Sequence, residues 1–387
     1  MRLGLVIYGS LATVSGGYLY DRQLVEHLRR AGDDVEIIPL RWRNYAGRLT
    51  DNFSAGLTAR LQGPRYDVLM QDELNHPSLF WLNRRLRRAT PYPIITIVHH
   101  LRCSERRPAW ENVLYRAVER AYLRTVDGFI FNSQTTHTAV EALIGPVAAD
   151  TCQVSEDLTG VGGVKATRSR LRAIVAHPAG DHFRPLITRE QIEARVRQSG
   201  PLQLLFIGNV IPRKGLHTLL DALASLPRAD WHLHVVGSLN VDPAYGHAIR
   251  RRIAQLQLTA QVTLHGALAD AGLRQRLERS HLLAVPSTYE GFGIVYLEGM
   301  GFGLPALATT AGAAGEIITS GENGYLAPPN DSAALAQTLR LMLDDREHLL
   351  SLSLAARRRY EQHPTWEASA ARIRAFLVEA RRSISSA

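Results

Sequence analysis

The stretch PSTYEGFGIVYLEGM, residues 286–300, says most about the fold of this chain. It follows the apolar run 281–285, which is typical of a buried strand, and it precedes the segment 301–305, whose glycines and proline end a helix. The sequence therefore predicts a strand, a glycine turn and a short helix.

The start of this predicted helix has the properties of an anion site. The N–H groups of the first turn, over residues 291–294, have no partner within the helix, and the two glycines let a ligand come close to the backbone. Glu290 and Glu298 flank this site and lie on the order of 12 Å apart along the helix axis. The alternative is that Glu290 belongs to the cap and Glu298 is solvated.

The separation of the two carboxylates indicates a class of ligand. A glycosidase needs two carboxylates that face each other across one bond, roughly 5 to 9.5 Å apart, whereas here the helix N-terminus fills the space between them. Two separated carboxylates with a phosphate between them suit a sugar nucleotide better. Glu290 would then bind hydroxyls of the donor sugar, and Glu298 those of the ribose.

These residues resemble a known family. The Glu-x7-Glu spacing within the stretch, Gly-x-Pro at 303–305, the segment 312–316 and GENGYL at 321–326 are similar to the family 4 retaining glycosyltransferases, and weaker similarity covers nearly the whole chain. The resemblance implies an α/β chain of GT-B type, with two doubly wound Rossmann-like domains facing across a cleft. It also implies transfer of a sugar from a nucleotide-diphosphate sugar to an acceptor hydroxyl, with retained anomeric configuration and without a metal or other cofactor.

Composition is consistent with a soluble globular protein. The 387 residues suffice for two domains, and 45% of them are hydrophobic and 21% charged. The net charge of +9 comes from arginines, since Lys165 and Lys214 are the only lysines. The arginines are scattered, aromatic content is 7% and no recognition motif occurs, so a nucleic-acid-binding protein is disfavoured.

The N-terminal sequence and the cysteine content are both consistent with a cytoplasmic protein. The apolar run 1–9 is too short for a signal peptide, and no apolar stretch reaches about 18 residues. Cys103 and Cys152 have no metal-ligand spacing and are expected to be ordinary thiols. We therefore expect a cytoplasmic protein.

The first predicted domain, 1–187, opens with a β-α-β unit formed by a strand over 3–8, a helix over 20–30 and a strand over 35–39. The loop between the first two elements lacks Gly-x-Gly-x-x-Gly, which disfavours a nicotinamide site. The resemblance implies that Gly16 and Gly17 approach the donor phosphates or the acceptor. The alternative is that these glycines serve only the turn.

A histidine pair follows the predicted central strand 94–98. Side chains just past such a strand line the ligand crevice of an α/β sheet. The resemblance assigns His99 to the side of the transferred sugar, while His100 stands where many relatives have aspartate. The alternative is that His99 is a hydrogen-bonded core residue.

The second predicted domain, 188–364, begins with the strand 202–207 and the segment GNVIPRKG, which contains Gly208, Arg213 and Lys214. Two cations there could neutralise a diphosphate as it leaves with negative charge. Relatives carry arginine where this chain has Asn209, and Arg213 is a candidate replacement. The alternative is a solvated pair, which the helix dipole opposes.

Two further segments carry predictions. Residues 78–88 form a basic helix with large apolar residues, which could contact an anionic membrane surface or simply cover the core. The last helix, 365–385, is expected from the resemblance to cross back onto the first domain.

Together these observations define a candidate glycosyltransferase site. The donor would be a UDP-, GDP-, ADP- or dTDP-linked sugar, and the acceptor a saccharide, a lipid or a small molecule. A sugar-nucleotide epimerase of the same architecture and a non-catalytic sugar-nucleotide-binding subunit are the alternatives. The predicted catalytic residues are His99, Glu290 and Lys214, and the predicted donor-binding residues are Gly16, Gly17, Gly208, Arg213, Lys214, Glu290, Phe292, Gly293, Ile294 and Glu298.

Overall fold

The computed structural model describes residues 1–13, 15–63, 66–105, 108–149 and 172–385. Its contacts divide the chain into two compact units, Met1–His177 with Glu367–Ala387, and Pro178–Trp366. Cys103 is a buried free thiol. Cys152 and the segment 150–170, to which the sequence assigned no role, lie outside the described residues.

The first unit is built on one parallel sheet. Its strands are β1 (Arg2–Tyr8), β2 (Asp34–Leu40), β3 (Val68–Asp72), β4 (Ile94–Val98), β5 (Gly128–Phe131), β6 (Ala148–Ala149) and β7 (Arg172–Val175). The sheet order is β2-β1-β3-β4-β5-β7-β6, with every pair parallel. Strands β3, β4 and β5 are buried along their whole length, as expected for apolar central strands covered on both faces.

The helices of the first unit connect these strands. They are α1 (Gly16–Arg30), α2 (Tyr45–Leu49), α3 (Ala55–Gln62), α4 (His76–Leu79), α5 (Leu82–Ala89), α6 (Ala109–Leu123) and α7 (Gln134–Ile144). The sequence predicted that the first helix starts at residue 20, and this is wrong by one turn. Ser15 caps the helix, because its side chain accepts a hydrogen bond from the backbone N–H of Tyr18.

The basic segment 78–88 is not one helix, as the sequence predicted, but the end of α4 followed by α5. The chain breaks at Trp81, where the side-chain oxygen of Asn52 accepts the backbone N–H groups of Trp81, at 2.8 Å, and of Leu82, at 3.2 Å. A residue about 30 positions away in the sequence thus caps α5, and no local pattern reveals it.

The second unit contains a second parallel sheet. Its strands are β8 (Leu202–Ile207), β9 (Trp231–Val236), β10 (Val262–Gly266), β11 (Leu282–Ala284), β12 (Ala306–Thr309) and β13 (Gly324–Ala327), in the order β10-β9-β8-β11-β12-β13. Its helices are α8 (Arg189–Arg197), α9 (Leu216–Ala224), α10 (Pro243–Gln255), α11 (Asp270–Arg279), α12 (Ile294–Gly301), α13 (Ser332–Asp344) and α14 (Arg346–Glu361).

The second unit starts at Pro178, so the boundary that the sequence placed near residue 187 lies inside this unit. Gly180 shows why the segment belongs here. A Cβ atom added to Gly180 would lie 2.7 Å from the backbone carbon of Leu297, so this backbone is packed directly on α12.

The last helix, α15 (Trp366–Ser385), belongs to the first unit from Glu367 onwards. Arg374 forms an ion pair with the buried Asp33 at 2.7 Å, and Ser369 donates a hydrogen bond to the carbonyl of His177 at 2.7 Å. Contacts from the chain end therefore complete the unit that the N-terminal half begins.

In both sheets the strand order reverses near the middle, between β1 and β3 in the first unit and between β8 and β11 in the second. Ligands of open parallel sheets bind outside the carboxyl ends of the strands at such a reversal. The α/β fold class with two Rossmann-like sheets is confirmed. No helix among the described residues combines the length and apolarity that crossing a bilayer requires.

Candidate functional site

The carboxyl ends of β8 and β11 bring together two segments that lie 76 positions apart in the sequence. Lys214 forms a salt bridge with Glu290 through Nζ and Oε1. Arg213 donates a hydrogen bond to the carbonyl of Tyr289 at 2.7 Å, and its guanidinium lies 3.6 Å from Oε2 of Glu290. The two cations and the first carboxylate of the Glu-x7-Glu motif thus form one cluster.

The backbone around Glu290 holds its side chain in place. Ser287 donates a hydrogen bond to Oε1 of Glu290 at 2.6 Å, and the carbonyl of Glu290 accepts the N–H of Ala313 at 2.9 Å. The Thr288 N–H in turn donates to the carbonyl of Arg213 at 2.8 Å. These bonds tie the loop after β8 to the loop after β11, so the cluster is preorganised.

Gly208, at the end of β8, leaves room for the lysine. A Cβ atom added to Gly208 would lie 3.3 Å from Cε of Lys214, which is a tight contact. A larger residue would require Lys214 to shift by a few tenths of an ångström. The φ angle of 150° at Gly208 independently favours glycine there.

The cluster carries net positive charge. Burial raises the pKa of Glu290, but the charges of Lys214 and Arg213 and the hydrogen bonds from Lys214 and Ser287 outweigh it and bring this pKa to about 2. Burial, with the charge of Arg213, lowers the pKa of Lys214 despite its carboxylate partner. Two basic side chains thus stand against one carboxylate, so positive charge is in excess.

Helix α12 begins beside this cluster. Gly293 precedes it with a φ angle of 97°, and the helix runs from Ile294 to Gly301, close to the predicted position. Phe292 is 3% exposed and packs near the ring of His363, at 5.9 Å between ring centres. Its side chain is part of the core, so only its backbone is available for a donor.

The second carboxylate of the motif has a partner that the sequence did not suggest. Oε1 of Glu298 lies 3.3 Å from Nδ1 of His182, and Glu298 is 8% exposed. Burial, with a smaller contribution from the charge of Asp270, raises the pKa of Glu298 to about 7. Glu298 therefore changes its charge near neutral pH.

In the first unit, His99 contacts residues that follow β1. Its Nε2 lies 3.2 Å from Oδ1 of Asp21 on α1, and the edge of the Tyr20 ring packs on it at 5.3 Å between ring centres. A Cβ atom added to Gly17 would lie 3.1 Å from Cδ2 of His99. Gly17, in the first turn of α1 after Gly16, therefore leaves room for the imidazole.

His99 is surrounded by acidic groups. Burial lowers its pKa, but Asp21, through charge and a hydrogen bond, and then Asp72 and Glu73 raise it to about 9. Burial raises the pKa of Asp72 to about 7. His99 is thus a cation at neutral pH, whereas His100 forms its own contact with Glu105 at 3.2 Å.

A second cluster of buried titratable residues, formed by Glu73, His76 and Glu119, lies next to the one around His99. Nδ1 of His76 lies 3.0 Å from both the carbonyl and Oε1 of Glu73 and 4.0 Å from Oε1 of Glu119, and burial lowers the pKa of His76 to about 4. Ligand atoms of these three residues are close enough to surround a cation. However, Nδ1 of His76 is placed to donate a hydrogen bond to the Glu73 carbonyl, and a donating Nδ1 has no lone pair for a cation.

The apolar residues of segment 78–88 pack inwards. Leu79, Leu82 and Leu86 are fully buried, and Arg87 pairs with Asp127 at 2.8 Å. Trp81 remains 44% exposed, with the guanidinium of Arg84 5.3 Å from the centre of its ring. Membrane contact through this segment stays a prediction.

Sequence reasoning missed three of these neighbours, Asp21, His182 and Ser287. Ser287 lies inside the decisive stretch, three residues before Glu290, so its proximity was a usable signal. Asp21 and His182 reach their partners across 78 and 116 sequence positions, and neither belongs to a motif that points to the contact.

Comparison with known proteins covers both units. Residues 188–359 match the family described as Glycosyl transferases group 1, and residues 19–155 match the Glycosyl transferase 4-like domain. The glycogen synthase of Mycobacterium tuberculosis is 27% identical over 301 residues, which are 75% of this chain and 64% of that protein. The chain thus spans just under two thirds of that relative.

Solved structures show the same fold over the full length. Sucrose-phosphate synthase from Thermosynechococcus elongatus matches with a TM-score of 0.77 at 21% identity, covering 100% of both chains. Anabaena HepE, solved in complex with UDP, matches with a TM-score of 0.74 at 21% identity, covering 98% of this chain and 100% of that one.

Proposed function

Because the chain belongs to the family 4 glycosyltransferases, we propose that it transfers a sugar from a nucleoside-diphosphate sugar to an acceptor hydroxyl. The observation that carries this proposal is the cluster of Arg213, Lys214 and Glu290 at the strand reversal of the second sheet. Its excess positive charge suits a diphosphate. HepE, of the same fold, was solved with UDP, a ligand of this class.

The donor is proposed to lie across the second unit. Arg213 and Lys214 would bind the diphosphate, together with backbone groups from Phe292 to Ile294 at the start of α12. Glu290 would position the donor sugar while it orients both cations, and Glu298 would accept hydrogen bonds from the ribose hydroxyls. Gly208 serves by leaving space for Lys214.

The first unit is proposed to bind the acceptor, which would be a saccharide, a lipid or a small molecule. His99 would face the transferred sugar from the end of β4. Gly16 and Gly17, in the first turn of α1, would approach the acceptor or the donor phosphates. This assignment gives the buried imidazolium a role that a core histidine lacks.

We propose retention of configuration by a front-face reaction without a metal. The bond from the anomeric carbon to the leaving phosphate oxygen breaks, and the bond to the acceptor oxygen forms on the same face. The acceptor proton goes to the leaving phosphate oxygen. Glu290 supports this route, because its carboxylate is held by Lys214 and Ser287 and acts as a counter-ion rather than as a nucleophile.

Product analysis tests the proposal. Thermal-shift measurements with UDP-, GDP-, ADP- and dTDP-sugars identify the donor, since a ligand that binds the folded form raises its stability. Mass spectrometry with that donor and a panel of acceptors should then show a glycosylated product, NMR should show the donor's anomeric configuration, and chelator should leave the rate unchanged. An epimerised nucleotide sugar, or binding without turnover, would identify one of the two alternatives instead.

Membrane contact at the exposed Trp81 and Arg84 has a separate test. Sedimentation with anionic vesicles is compared between the wild type and a Trp81→Ser/Arg84→Ser variant. Peripheral contact predicts reduced sedimentation of the variant, with Arg197→Ser, an exposed arginine of the second unit, as the control. Equal sedimentation of all three proteins contradicts this contact.

A further inference from the structure

The side chain of Asp21 has no function in the site described so far, yet it is fully buried. It projects from α1, and Oδ1 lies 3.2 Å from Nε2 of His99. Its other oxygen, Oδ2, has no hydrogen-bond partner among the described residues. A carboxylate in this position is stabilised mainly by the imidazole it faces, because burial of an unpaired charge is unfavourable.

The orientation of the imidazole is fixed on several sides. A Cβ atom added to Gly17 would lie 3.1 Å from Cδ2, so little space is left on that side, and the Tyr20 ring packs edge-on. Tyr20 is itself held by a hydrogen bond from its hydroxyl to the carbonyl of Ala176 at 2.9 Å. The side chain of Asn132 donates to the carbonyl of His99 at 2.8 Å. The ring thus directs Nε2 at Asp21.

This orientation determines what the other nitrogen can do. When the ring is neutral and Nε2–H faces Asp21, Nδ1 carries a lone pair and can only accept a hydrogen bond. When the ring is protonated, Nδ1 becomes a donor. A carboxylate beside Nε2 favours the protonated form, and Asp72 and Glu73 at the end of β3 act in the same direction.

We propose that Asp21 is a positioning residue that holds His99 as an oriented cation, so that Nδ1–H is offered to an oxygen of the sugar or the phosphate. The inference rests on the proposed function for the identity of that oxygen, but not for the Asp21–His99 contact itself. Asp21 acts through His99 and does not touch a substrate.

The contact is tested without any activity measurement. In Asp21→Asn the amide keeps the shape of the side chain and removes its charge. Histidine NMR should then show the pKa of His99 falling from about 9 towards its ordinary value of 6.5, since burial no longer meets an opposing charge at Nε2. Asp21→Glu should restore part of the shift.

Asp33→Asn is the matched control, because it removes another buried carboxylate of the same unit, one that pairs with Arg374. It should lower stability without moving the titration of His99. An unchanged His99 titration in Asp21→Asn, or an equal shift in Asp33→Asn, overturns the inference and leaves Asp21 a purely structural residue.

Turnover then tests what the charge does. If transfer needs the protonated ring, each rate should follow the protonated fraction of His99, whose pKa is about 9 in the wild type and is expected near 6.5 in Asp21→Asn. The ratio of wild-type to variant rates should then rise from near unity at about pH 6 to about 30-fold at about pH 8. A shifted titration with an unchanged rate profile would support the positioning by Asp21 and refute the proposed role of His99. No transfer by the wild type would refute the proposed function alone.

Discussion

The polar clusters of the two units have opposite charge balance. In the second unit, Arg213 and Lys214 share the carboxylate of Glu290, which leaves positive charge in excess. In the first unit, His99 faces Asp21 and the nearby Asp72, which leaves carboxyl groups in excess. In the second unit, the two cations can therefore exchange Glu290 for an anionic ligand. In the first unit, the carboxyl groups keep a single histidine charged.

The difference also concerns exposure. The side chains of Arg213 and Lys214 are 30% and 15% exposed, while that of Asp21 is fully buried and that of His99 is 9% exposed. A charge that exchanges its partner for a ligand must be accessible, and a charge that only orients another group need not be. The arrangement thus matches a donor-binding role in one unit and a positioning role in the other.

The largest effect is expected from removing the accessible cation. Lys214→Ala should lower donor turnover on the order of 100-fold to 1,000-fold, since it removes charge stabilisation from the departing diphosphate. Steady-state kinetics measures this. Arg197→Ala, which removes an exposed arginine of the same unit, is the control and should change little. Near-normal turnover by Lys214→Ala would show that the cluster is not the donor site.

Glu290 should matter for stability as well as for activity. Its pKa of about 2 lies below the ordinary 4.5, so its contribution is fully present above about pH 4.5 and is lost as the pH falls towards 2. Glu290→Gln should destabilise the protein by about 3 kcal/mol at neutral pH and by less than half of that near about pH 3.

Urea unfolding at both pH values measures the change, with Glu347→Gln as the control. Glu347 pairs with Arg197 at the surface with 69% of its side chain exposed, so its removal should have little effect. Equal stability of Glu290→Gln and the wild type at neutral pH would contradict the ion pairs described for Glu290.

Crowding the histidine of the first unit should have a smaller effect. Gly17→Ala places a methyl group against His99, which must shift by a few tenths of an ångström, and we expect turnover to fall about tenfold. Gly56→Ala is the control, since nothing lies within 4 Å of the added methyl group there. Equal rates for the two variants would argue that the placement of His99 is unimportant.

The smallest effect is expected at Glu298, the proposed ligand of the ribose. The pKa of Glu298 is raised to about 7, so the carboxylate is protonated, and is a poorer acceptor for ribose hydroxyls, as the pH falls below that value. The KM for the donor should rise severalfold between about pH 8 and about pH 6 in the wild type. Glu298→Gln should have a raised KM that no longer depends on pH over this range. The same pH dependence in both proteins would remove Glu298 from donor binding.

The two clusters differ in how far the sequence reveals them. The second unit assembles its cluster from two contiguous segments that each carry a motif, so Lys214 and Glu290 could each be assigned to the donor site from the sequence, although their salt bridge was not predicted. In the first unit, the Asp21–His99 contact joins α1 to the end of β4 across 78 positions, and only the strand end was recognisable. The sequence therefore supplied His99 without its partner.

The same distinction holds for the fold. Alternating strands and helices, with apolar β-branched runs, predicted β-α-β units with parallel strands, because local patterns determine these elements, and the family resemblance implied their arrangement in two sheets. The break at Trp81 and the start of the second unit at Pro178 depend on tertiary contacts, from Asn52 and from the close packing of Gly180 on α12. Local patterns do not contain them.

The most direct test of the account is how well the protein distinguishes a nucleoside diphosphate from the corresponding monophosphate. Calorimetry with the nucleotide identified by thermal shift should show at least about tenfold tighter binding of the diphosphate to the wild type, from charge-assisted contacts to the second phosphate. Lys214→Ala should lose most of this preference while still binding the monophosphate. A variant that keeps the full preference would contradict the assignment of the diphosphate to Arg213, Lys214 and the start of α12.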